Sequence, residues 1–280
     1  MRLTECKYNC FRFKDKVAVL TASTQGIGYC TAERLAHEGA KIVISSRQQE
    51  HVDEAVEQLV HSGIPRENVA GTVCHVANPK HRAALIDLAI QRFGRIDILV
   101  SNAGINPALG SILDVDQVRL DRIFEVNVKC SFLLSRAVVP HMEKNGYMIG
   151  NANKDGGVIV FNSSVCAYRA SPGMTTYGIS KTALNALVHS LSVELASRGI
   201  RVNSVSEGPI RTKMGRVLYD KTHPKFSKDI EKTQVLSMSV FGRIGEPKEV
   251  ASSICYLASD DASFVSGENH LVSGGVSCRL

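Results

Sequence analysis

Tyr177 and Lys181 lie four residues apart in the run Y-G-I-S-K, at the start of a predicted helix. Residues at this spacing share one helix face, so the phenol and the ammonium should project together. An ammonium ~4–5 Å from a phenol, at an effective dielectric constant of ~20, favours the phenolate by about 3–4 kcal/mol. It would thus lower a phenol pKa that is ordinarily near ~10. The spacing predicts a tyrosine that exchanges a proton with a reacting group, although a surface helix can carry such a pair by chance.

Two further polar residues help to decide between a proton-exchanging tyrosine and a surface pair that occurs by chance. Ser164 lies just past the predicted strand V-I-V-F-N-S-S, and open parallel sheets place ligand contacts at that end of their strands. Its hydroxyl can donate to the carbonyl oxygen that Tyr177 would protonate. Asn127 is polar among apolar neighbours in F-E-V-N-V, inside a predicted helix, where asparagine needs a reason. We expect Asn127 to hold a water that links Lys181 to solvent.

A loop that could hold a phosphate follows the first predicted strand and reads T-A-S-T-Q-G-I-G from Thr21 to Gly28. Gly26 and Gly28 allow the backbone to approach a pyrophosphate, and the helix that follows offers unpaired N–H groups and a positive dipole end. Two glycines would also suit a plain strand-to-helix turn. The strand–loop–helix context favours a dinucleotide.

The end of the second predicted strand bears on which dinucleotide binds. NAD-binding folds usually place Asp or Glu there to hold the ribose 2′-hydroxyl, whereas this strand ends in Ser45, Ser46 and Arg47. A guanidinium pairs with a 2′-phosphate, and serine hydroxyls can donate to it. The sequence therefore predicts NADPH/NADP+ as the cofactor, unless Arg47 merely begins a solvated helix.

These residues need a scaffold that brings several strand ends together. Strands are predicted at 16–21, 41–45, 69–76, 96–100, 158–162, 200–205 and 268–272, and helices at 27–38, 48–62, 79–93, within 115–144, at 176–196 and at 248–258. Such alternation predicts an α/β fold, a single-domain Rossmann-type doubly wound parallel sheet with helices on both faces.

We expect an N-terminal extension over residues 1–14 and the domain over residues 15–280. Within the domain, a Gly- and Asn-rich insertion is expected at about 145–157 and a substrate loop at about 208–242. The basic residues of the extension would also suit a transit peptide, but its acidic residues and its lack of serine argue against one.

The catalytic candidates are similar in type, order and spacing to the Asn-Ser-Tyr-Lys tetrad of the short-chain dehydrogenase/reductase family; they are Asn127, Ser164, Tyr177 and Lys181. The phosphate loop resembles that family's T-G-x-x-x-G-x-G motif with Ala22 in place of the first glycine, and S-N-A-G at 101–104 resembles its N-N-A-G motif. The resemblance runs from Lys16 to the C-terminus. Within the family, the runs S-S-R-Q, C-H-V and L-V-S-N-A look like those of the peroxisomal NADPH-dependent carbonyl and retinal reductases.

This resemblance implies roles for further residues. Tyr177 would be the acid/base, and Lys181 would also hold the nicotinamide ribose. The cofactor would further contact Thr21, Ser23, Gly26, Ile27, Gly28, Ser45, Ser46, Arg47, His75, Val76, Asn102, Ala103, Gly104, Gly208, Ile210 and Thr212. The substrate would contact Ser164, Cys166, Tyr168, Met174 and Tyr177. Glu207 replaces the family's usual proline, which would put a carboxylate near the nicotinamide and alter substrate choice.

The chain ends in Cys278-Arg279-Leu280, which resembles the S-K-L peroxisomal address. It predicts recognition by the peroxisomal import receptor; if these residues are an ordinary tail, the cytosol or mitochondrion is expected instead. The family resemblance also implies a homotetramer with the long helices at one interface.

Composition argues against several other classes of protein. The formal net charge is +6, but no run of five Lys/Arg occurs, which indicates a solvated surface and no nucleic-acid partner. No apolar run reaches ~18 residues, so no membrane span is expected. The eight cysteines form no C-x-x-C pair, so we expect reduced thiols and no metal site.

Together these features predict an NADPH-dependent reductase of ketones and aldehydes, such as diketones, aromatic ketones and retinal, reversible with the corresponding alcohols. The alternative is a non-catalytic NADP-binding or scaffold protein that has kept the fold, which the departures at Ala22 and Glu207 would suit. An intact tetrad argues against this alternative, because a mere binder has no need of four convergent groups.

Overall fold

Seven parallel strands form one sheet in the computed structural model, which describes residues 10–146, 156–171, 173–220, 222 and 239–276. Their order is β3-β2-β1-β4-β5-β6-β7. The strands are β1 Val17–Leu20, β2 Lys41–Ser46, β3 Val69–Val73, β4 Ile98–Ser101, β5 Gly157–Ser164, β6 Ile200–Glu207 and β7 Asn269–Val272. The predicted doubly wound parallel sheet is thereby confirmed.

The central strands β1, β4 and β5 are buried on both faces, as their near-continuous runs of apolar residues predict for a parallel sheet. The helices are α1 Gly26–His37, α2 Gln49–His61, α3 Pro79–Phe93, α4 Gln117–Phe124, α5 Cys130–Met142, α6 Thr175–Leu195, α7 Arg216–Tyr219 and α8 Pro247–Ala258. Apolar side chains of α1, α2 and α8 pack on one face of the sheet, and those of α3, α5 and α6 pack on the other.

Two strands run further than their apolar pattern predicted. β5 continues to Ser164 and β6 to Glu207, and these two residues are partners in the last position of their parallel register. Polar side chains at both strand ends conceal this extension in the sequence. The register fixes Ser164 and Glu207 side by side at the carboxyl edge of the sheet.

The helix expected within 115–144 is interrupted. A π-helical turn, Glu125–Lys129, joins α4 to α5. Apolar periodicity does not reveal a single widened turn, and such turns often occur at functional sites. Asn127 lies in the middle of this turn and is buried.

The end of the expected extension is packed onto the domain. Phe13 is buried in the core, and Arg12 forms ion pairs with Glu38 at 2.6 Å and with Asp261 at 2.8 Å. At the base of the expected insertion, Asn145 donates to the carbonyl oxygens of Ile96 and Gly156, both at 2.8 Å. Residues 147–155 of the insertion lie outside the described residues.

Within the described ranges, none of the helices combines the length and the apolar character that a membrane crossing needs. The same ranges hold no group of three or more His, Cys, Asp or Glu side chains arranged for a metal ion.

Candidate active site

The candidate residues meet at the carboxyl edge of the sheet, beside the point where the strand order reverses. β1 lies between β2 and β4, and the loops after β1 and β4 leave the sheet in the neighbourhood of one crevice, where open α/β sheets bind ligands. The phosphate loop follows β1 and the S-N-A-G run begins at the last residue of β4. Ser164 and Glu207 end the next two strands.

The phosphate loop has the shape that its glycines predicted. Gly26 has a φ of 58°. A methyl group added at Gly28 would lie 2.5 Å from the Ala22 carbonyl oxygen and 2.7 Å from Asn102 Nδ2. Ala22 itself has a φ of 50°, in the left-handed region that disfavours residues with a Cβ. At position 22 the loop therefore has the left-handed conformation that glycine favours, although the residue there is alanine.

Three hydroxyls that were expected to contact the cofactor instead hold this loop together. Ser23 Oγ donates to the Leu20 carbonyl at 3.0 Å and accepts from Ser45 N at 3.0 Å, and Ser45 Oγ donates to the same carbonyl at 3.0 Å. Thr21 Oγ1 accepts from the N–H groups of Asn102 and Ala103, at 3.0 and 3.1 Å. All three side chains are completely buried, so their hydroxyl groups support the loop.

The end of β2 presents Ser46, half-buried, and Arg47, exposed, with no carboxylate in the Ser45–Arg47 run. Across the crevice mouth, Arg122 Nη2 donates to His75 Nε2 at 2.9 Å. Burial, followed by the positive charges of Arg122 and Arg47, lowers the pKa of His75. Two guanidinium groups therefore act on His75, one of the expected cofactor contacts.

Sequence reasoning missed Arg122, which also pairs with Glu125. Arg122 lies on α4, 47 residues from His75 in the chain, so the sequence gave no sign that the two side chains meet. Val76, also among the expected cofactor contacts, is buried, and its carbonyl accepts from Arg82 Nη1 at 2.6 Å.

Ser164, Tyr177 and Lys181 converge in the structure. The Lys181 ammonium lies 5.5 Å from the centroid of the Tyr177 ring, and the Tyr177 phenol is hydrogen-bonded to the Ser164 side chain. Tyr177 is only 4% exposed and Lys181 only 3%. The pair is therefore removed from water, and the surface-pair explanation is excluded.

Removal from water reverses the pKa effect that the sequence suggested. Burial raises the pKa of the Tyr177 phenol well above its ordinary value, Glu207 and Cys166 add to the rise, and the hydrogen bond with Ser164 opposes it. Burial also lowers the pKa of Lys181, against the effect of Glu207. The expected lowering by Lys181 is thus not found, because burial penalises the phenolate more strongly. Tyr177 retains its proton, as a donor must.

A chain of hydrogen bonds connects Lys181 to the phosphate loop. Lys181 Nζ donates to the Asn162 carbonyl at 2.6 Å, and Asn162 Nδ2 donates to Asn102 Oδ1 at 2.9 Å. Asn102 Nδ2 in turn donates to the Ala22 carbonyl at 2.8 Å. Asn162 was not identified from the sequence, since a polar residue inside an apolar strand gives no sign of what it binds.

The Asn127 side chain joins two segments of the protein. Its Oδ1 accepts from Ile105 N at 2.9 Å, while its Nδ2 donates to the Ile105 carbonyl at 3.0 Å and to Ser180 Oγ at 2.9 Å. Ser180 Oγ donates to the Tyr177 carbonyl at 2.6 Å. The amide is therefore occupied by protein groups, and it fixes both the loop after β4 and the helix turn that carries Tyr177.

Glu207 brings a carboxyl group to the same place. Burial raises its pKa from 4.5 to about 7, and Lys181 opposes the rise. Its Oε2 is enclosed and has no hydrogen-bond partner among the described residues. The side-chain amide of Asn106, which follows Ile105, is likewise enclosed and unpartnered within that part of the chain. Both are polar groups beside the tetrad with capacity to bind a ligand.

Of the expected substrate contacts, Cys166 lies near enough to the Tyr177 phenol to raise its pKa. Cys166, Tyr168 and Met174 are half-buried, and Cys166 N donates to Ser164 Oγ at 3.3 Å. The beginning of the substrate loop reaches back over the cofactor crevice, since a methyl group added at Gly26 would lie 3.4 Å from Thr212 Cγ2. Residues 223–238 of this loop lie outside the described residues.

Comparisons with known proteins find relatives over nearly the whole chain. A family model described as enoyl-(acyl carrier protein) reductase matches residues 21–277. A Caenorhabditis elegans protein named dehydrogenase/reductase SDR family member 4 is 45% identical over 274 residues, 97% of this chain and 99% of that protein. The Homo sapiens protein of the same name is 43% identical over 267 residues, 95% of this chain and 89% of that one.

Among solved structures, 7α-hydroxysteroid dehydrogenase complexed with NADH and 7-oxo glycochenodeoxycholic acid superposes with a TM-score of 0.84. The two sequences are 31% identical, and the match covers 97% of this chain and 98% of the other.

The strained alanine leads to a stability prediction. Ala22→Gly should raise the free energy of unfolding by up to about 1 kcal/mol, because glycine adopts a positive φ without a Cβ clash. Urea unfolding of the two proteins measures the difference. Ala103→Gly, in the facing loop and without a positive φ, should lose stability instead. A less stable Ala22→Gly variant would contradict the strain.

Glu207 leads to a pH-dependent prediction. A carboxyl whose pKa rises on folding stabilises the fold below its unfolded pKa, and that contribution is lost as the pH rises through its folded pKa. The rise from 4.5 to about 7 corresponds to about 3 kcal/mol. Relative to Glu207→Gln, the wild type should therefore lose up to about 3 kcal/mol of unfolding free energy between about pH 5 and pH 8.

Urea titrations at both pH values test this difference. Glu67→Gln, which removes an exposed carboxylate in the turn Arg66–Asn68, serves as the control and should follow the wild type. A difference between wild type and Glu207→Gln that does not change with pH would mean that Glu207 ionises as an ordinary exposed carboxyl.

Proposed function

The chain belongs to the short-chain dehydrogenase/reductase family, and from that premise we propose that it is an NADPH-dependent reductase of ketones and aldehydes. Family membership makes it an oxidoreductase that acts on CH–OH or C=O groups with a nicotinamide cofactor. The observation that carries the proposal is the convergence of Ser164, Tyr177 and Lys181 in one buried site.

The chemistry of the protein's own groups runs in the direction of carbonyl reduction. The hydroxyl groups of Ser164 and Tyr177 are close enough to hydrogen-bond with each other. A carbonyl oxygen that took the place of this contact could accept a hydrogen bond from each hydroxyl. When bound, NADPH supplies the hydride. Tyr177 retains its proton because burial raises the pKa of its phenol, and it delivers that proton to the carbonyl oxygen as a general acid. The Lys181 ammonium then lies beside the phenolate that remains.

The residues at the crevice fit such a dinucleotide. Gly28 lies in the first turn of α1, where the neighbouring backbone leaves no room for a side chain, and the N-terminus of a helix is where a pyrophosphate is expected to bind. We base the preference for NADPH on Arg47 and Ser46 at the end of β2, with Arg122 nearby acting on His75. A guanidinium attracts a 2′-phosphate, whereas a carboxylate at this place would repel it.

For substrates we propose ketones and aldehydes of largely apolar character, among them diketones, aromatic ketones and retinal. Cys166, Tyr168 and Met174 give the half-buried surroundings of Tyr177 this character. The same site runs alcohol oxidation in reverse. Tyr177→Phe and a panel of these carbonyls together separate this proposal from a non-catalytic NADP-binding protein, which would bind NADPH but reduce none of them.

We further propose a homotetramer and peroxisomal import. The tetramer is supported by exposed apolar side chains on the helices of one face, namely Val118, Leu120, Phe132, Ile179 and Val193. Import rests on Cys278-Arg279-Leu280, which lie outside the described residues.

The role of Tyr177 is tested by removing one oxygen atom. Tyr177→Phe should lower kcat by about a thousandfold or more, because it removes the proton donor, and should leave NADPH binding within about twofold. Loss of NADPH absorbance with an aromatic ketone measures turnover, and NADPH fluorescence measures binding. Tyr256→Phe, on α8, is the matched control and should keep both. Substantial turnover by Tyr177→Phe would refute the mechanism.

Cofactor choice is tested at Arg47. Arg47→Asp should weaken NADPH binding at least about tenfold more than NADH binding, because it replaces a charge-assisted bond to the 2′-phosphate with a repulsion. Fluorescence titrations give both dissociation constants. Arg92→Asp makes the same change of charge at an exposed position on α3 and should affect the two cofactors alike. Equal losses in Arg47→Asp would remove the argument for phosphate recognition.

A further inference from the structure

Glu207 is fixed at the edge of the site by both neighbouring strands. It is the last ladder residue of β6, paired with Ser164 of β5 on one side and with Val272 of β7 on the other. Its own carbonyl accepts a long hydrogen bond of 3.5 Å from Ser164 Oγ. The next residue, Gly208, donates its N–H to Val272 O at 3.0 Å. These backbone pairings on both sides fix the position of Glu207 beside the tetrad.

The Glu207 carboxyl lies close enough to the groups expected around the reacting carbonyl to change their pKa values. Its charge acts on Tyr177, Lys181 and Cys166. Among the described residues, the Lys181 ammonium donates to the Asn162 carbonyl and forms no ion pair with Glu207. One carboxyl oxygen, Oε2, is enclosed and without a hydrogen-bond partner among the described residues.

An enclosed carboxyl oxygen without a partner is costly beside a neutral ligand and favourable beside a cation. An apolar substrate would cover the part of the half-buried Glu207 carboxylate that water still reaches, and it would offer no polar group in exchange. A positive charge on the substrate would supply the missing partner in surroundings of low dielectric constant, where the attraction is stronger than in water.

We propose that Glu207 determines substrate specificity, giving the site a preference for carbonyl compounds that carry a positive charge near the reacting carbonyl. This inference rests on the proposed reductase function and narrows its substrate class. The preference concerns two substrates of the same shape, so apolar ketones remain substrates of lower specificity constant.

Two aromatic ketones of matched shape test the proposal. One is 4-acetyl-N,N,N-trimethylanilinium, a permanent cation, and the other is its neutral isostere, 4-tert-butylacetophenone. The measured quantity is the ratio of their kcat/KM values with NADPH. Differences in intrinsic reactivity cancel when this ratio is compared between protein variants.

At about pH 8, Glu207→Gln should lower the ratio of cation to neutral ketone roughly tenfold or more relative to wild type. Glu207→Asp should retain part of the preference, and Glu67→Gln should retain all of it. In the wild type the ratio should fall as the pH is lowered to about 6, since the carboxyl becomes protonated, whereas in Glu207→Gln it should stay constant. A ratio that is the same in wild type and Glu207→Gln overturns the proposal.

A second measurement excludes the other cation that the carboxyl could serve, the oxidised nicotinamide ring. The dissociation constants of NADP+ and NADPH are measured by titration for wild type and Glu207→Gln. The proposal expects their ratio to change by less than about twofold. A change as large as that of the substrate ratio would assign the carboxyl to the cofactor and overturn the proposal. Failure of the wild type to reduce any ketone would instead overturn the reductase function itself.

Discussion

The burial of an ammonium and a phenol side by side is the constraint that governs this site. Removing Tyr177 and Lys181 from water disfavours the charged form of each. The buried ammonium of Lys181 is stabilised by the hydrogen bond that it donates to the Asn162 carbonyl at 2.6 Å. The phenol finds Ser164. A site built in this way holds its proton firmly until a substrate oxygen arrives in the same water-excluded space, where donated hydrogen bonds are strongest.

The parallel sheet brings the polar groups of the site together. Because neighbouring strands run the same way, their carboxyl ends meet at one edge, and β1, β4, β5 and β6 each contribute a polar group there. The hydrogen-bond chain from Lys181 through Asn162 and Asn102 to the Ala22 carbonyl crosses three of these strands. Phosphate loop and proton donor are therefore positioned by one network, and displacement of either end would be felt at the other.

Much of this could be predicted from the sequence, for identifiable reasons. Strands and helices followed from hydrophobic periodicity, and the Tyr177–Lys181 spacing required only helical geometry. What could not be predicted depended on tertiary partners. The polar ends of β5 and β6 are strand only because Ser164 and Glu207 pair with each other. The π turn at Asn127, the buried hydroxyls of Thr21, Ser23 and Ser45, and the approach of Arg122 to His75 all depend on groups remote in the chain. The sign of the Tyr177 pKa change depended on burial, which spacing alone does not contain.

The two departures from the family's motifs, Ala22 and Glu207, lie at different edges of the same site. Ala22 takes the left-handed conformation of the glycine it replaces, and its carbonyl still accepts from Asn102. Glu207 takes the last place of its strand in register, and Ser164 remains beside Tyr177. Neither change displaces a catalytic group. A chain that had lost its chemistry would have no need to keep Ser164, Tyr177 and Lys181 convergent while it accommodates a strained alanine and an enclosed carboxyl. The departures therefore alter the strain and the electrostatics around Ser164, Tyr177 and Lys181 and leave these three side chains together.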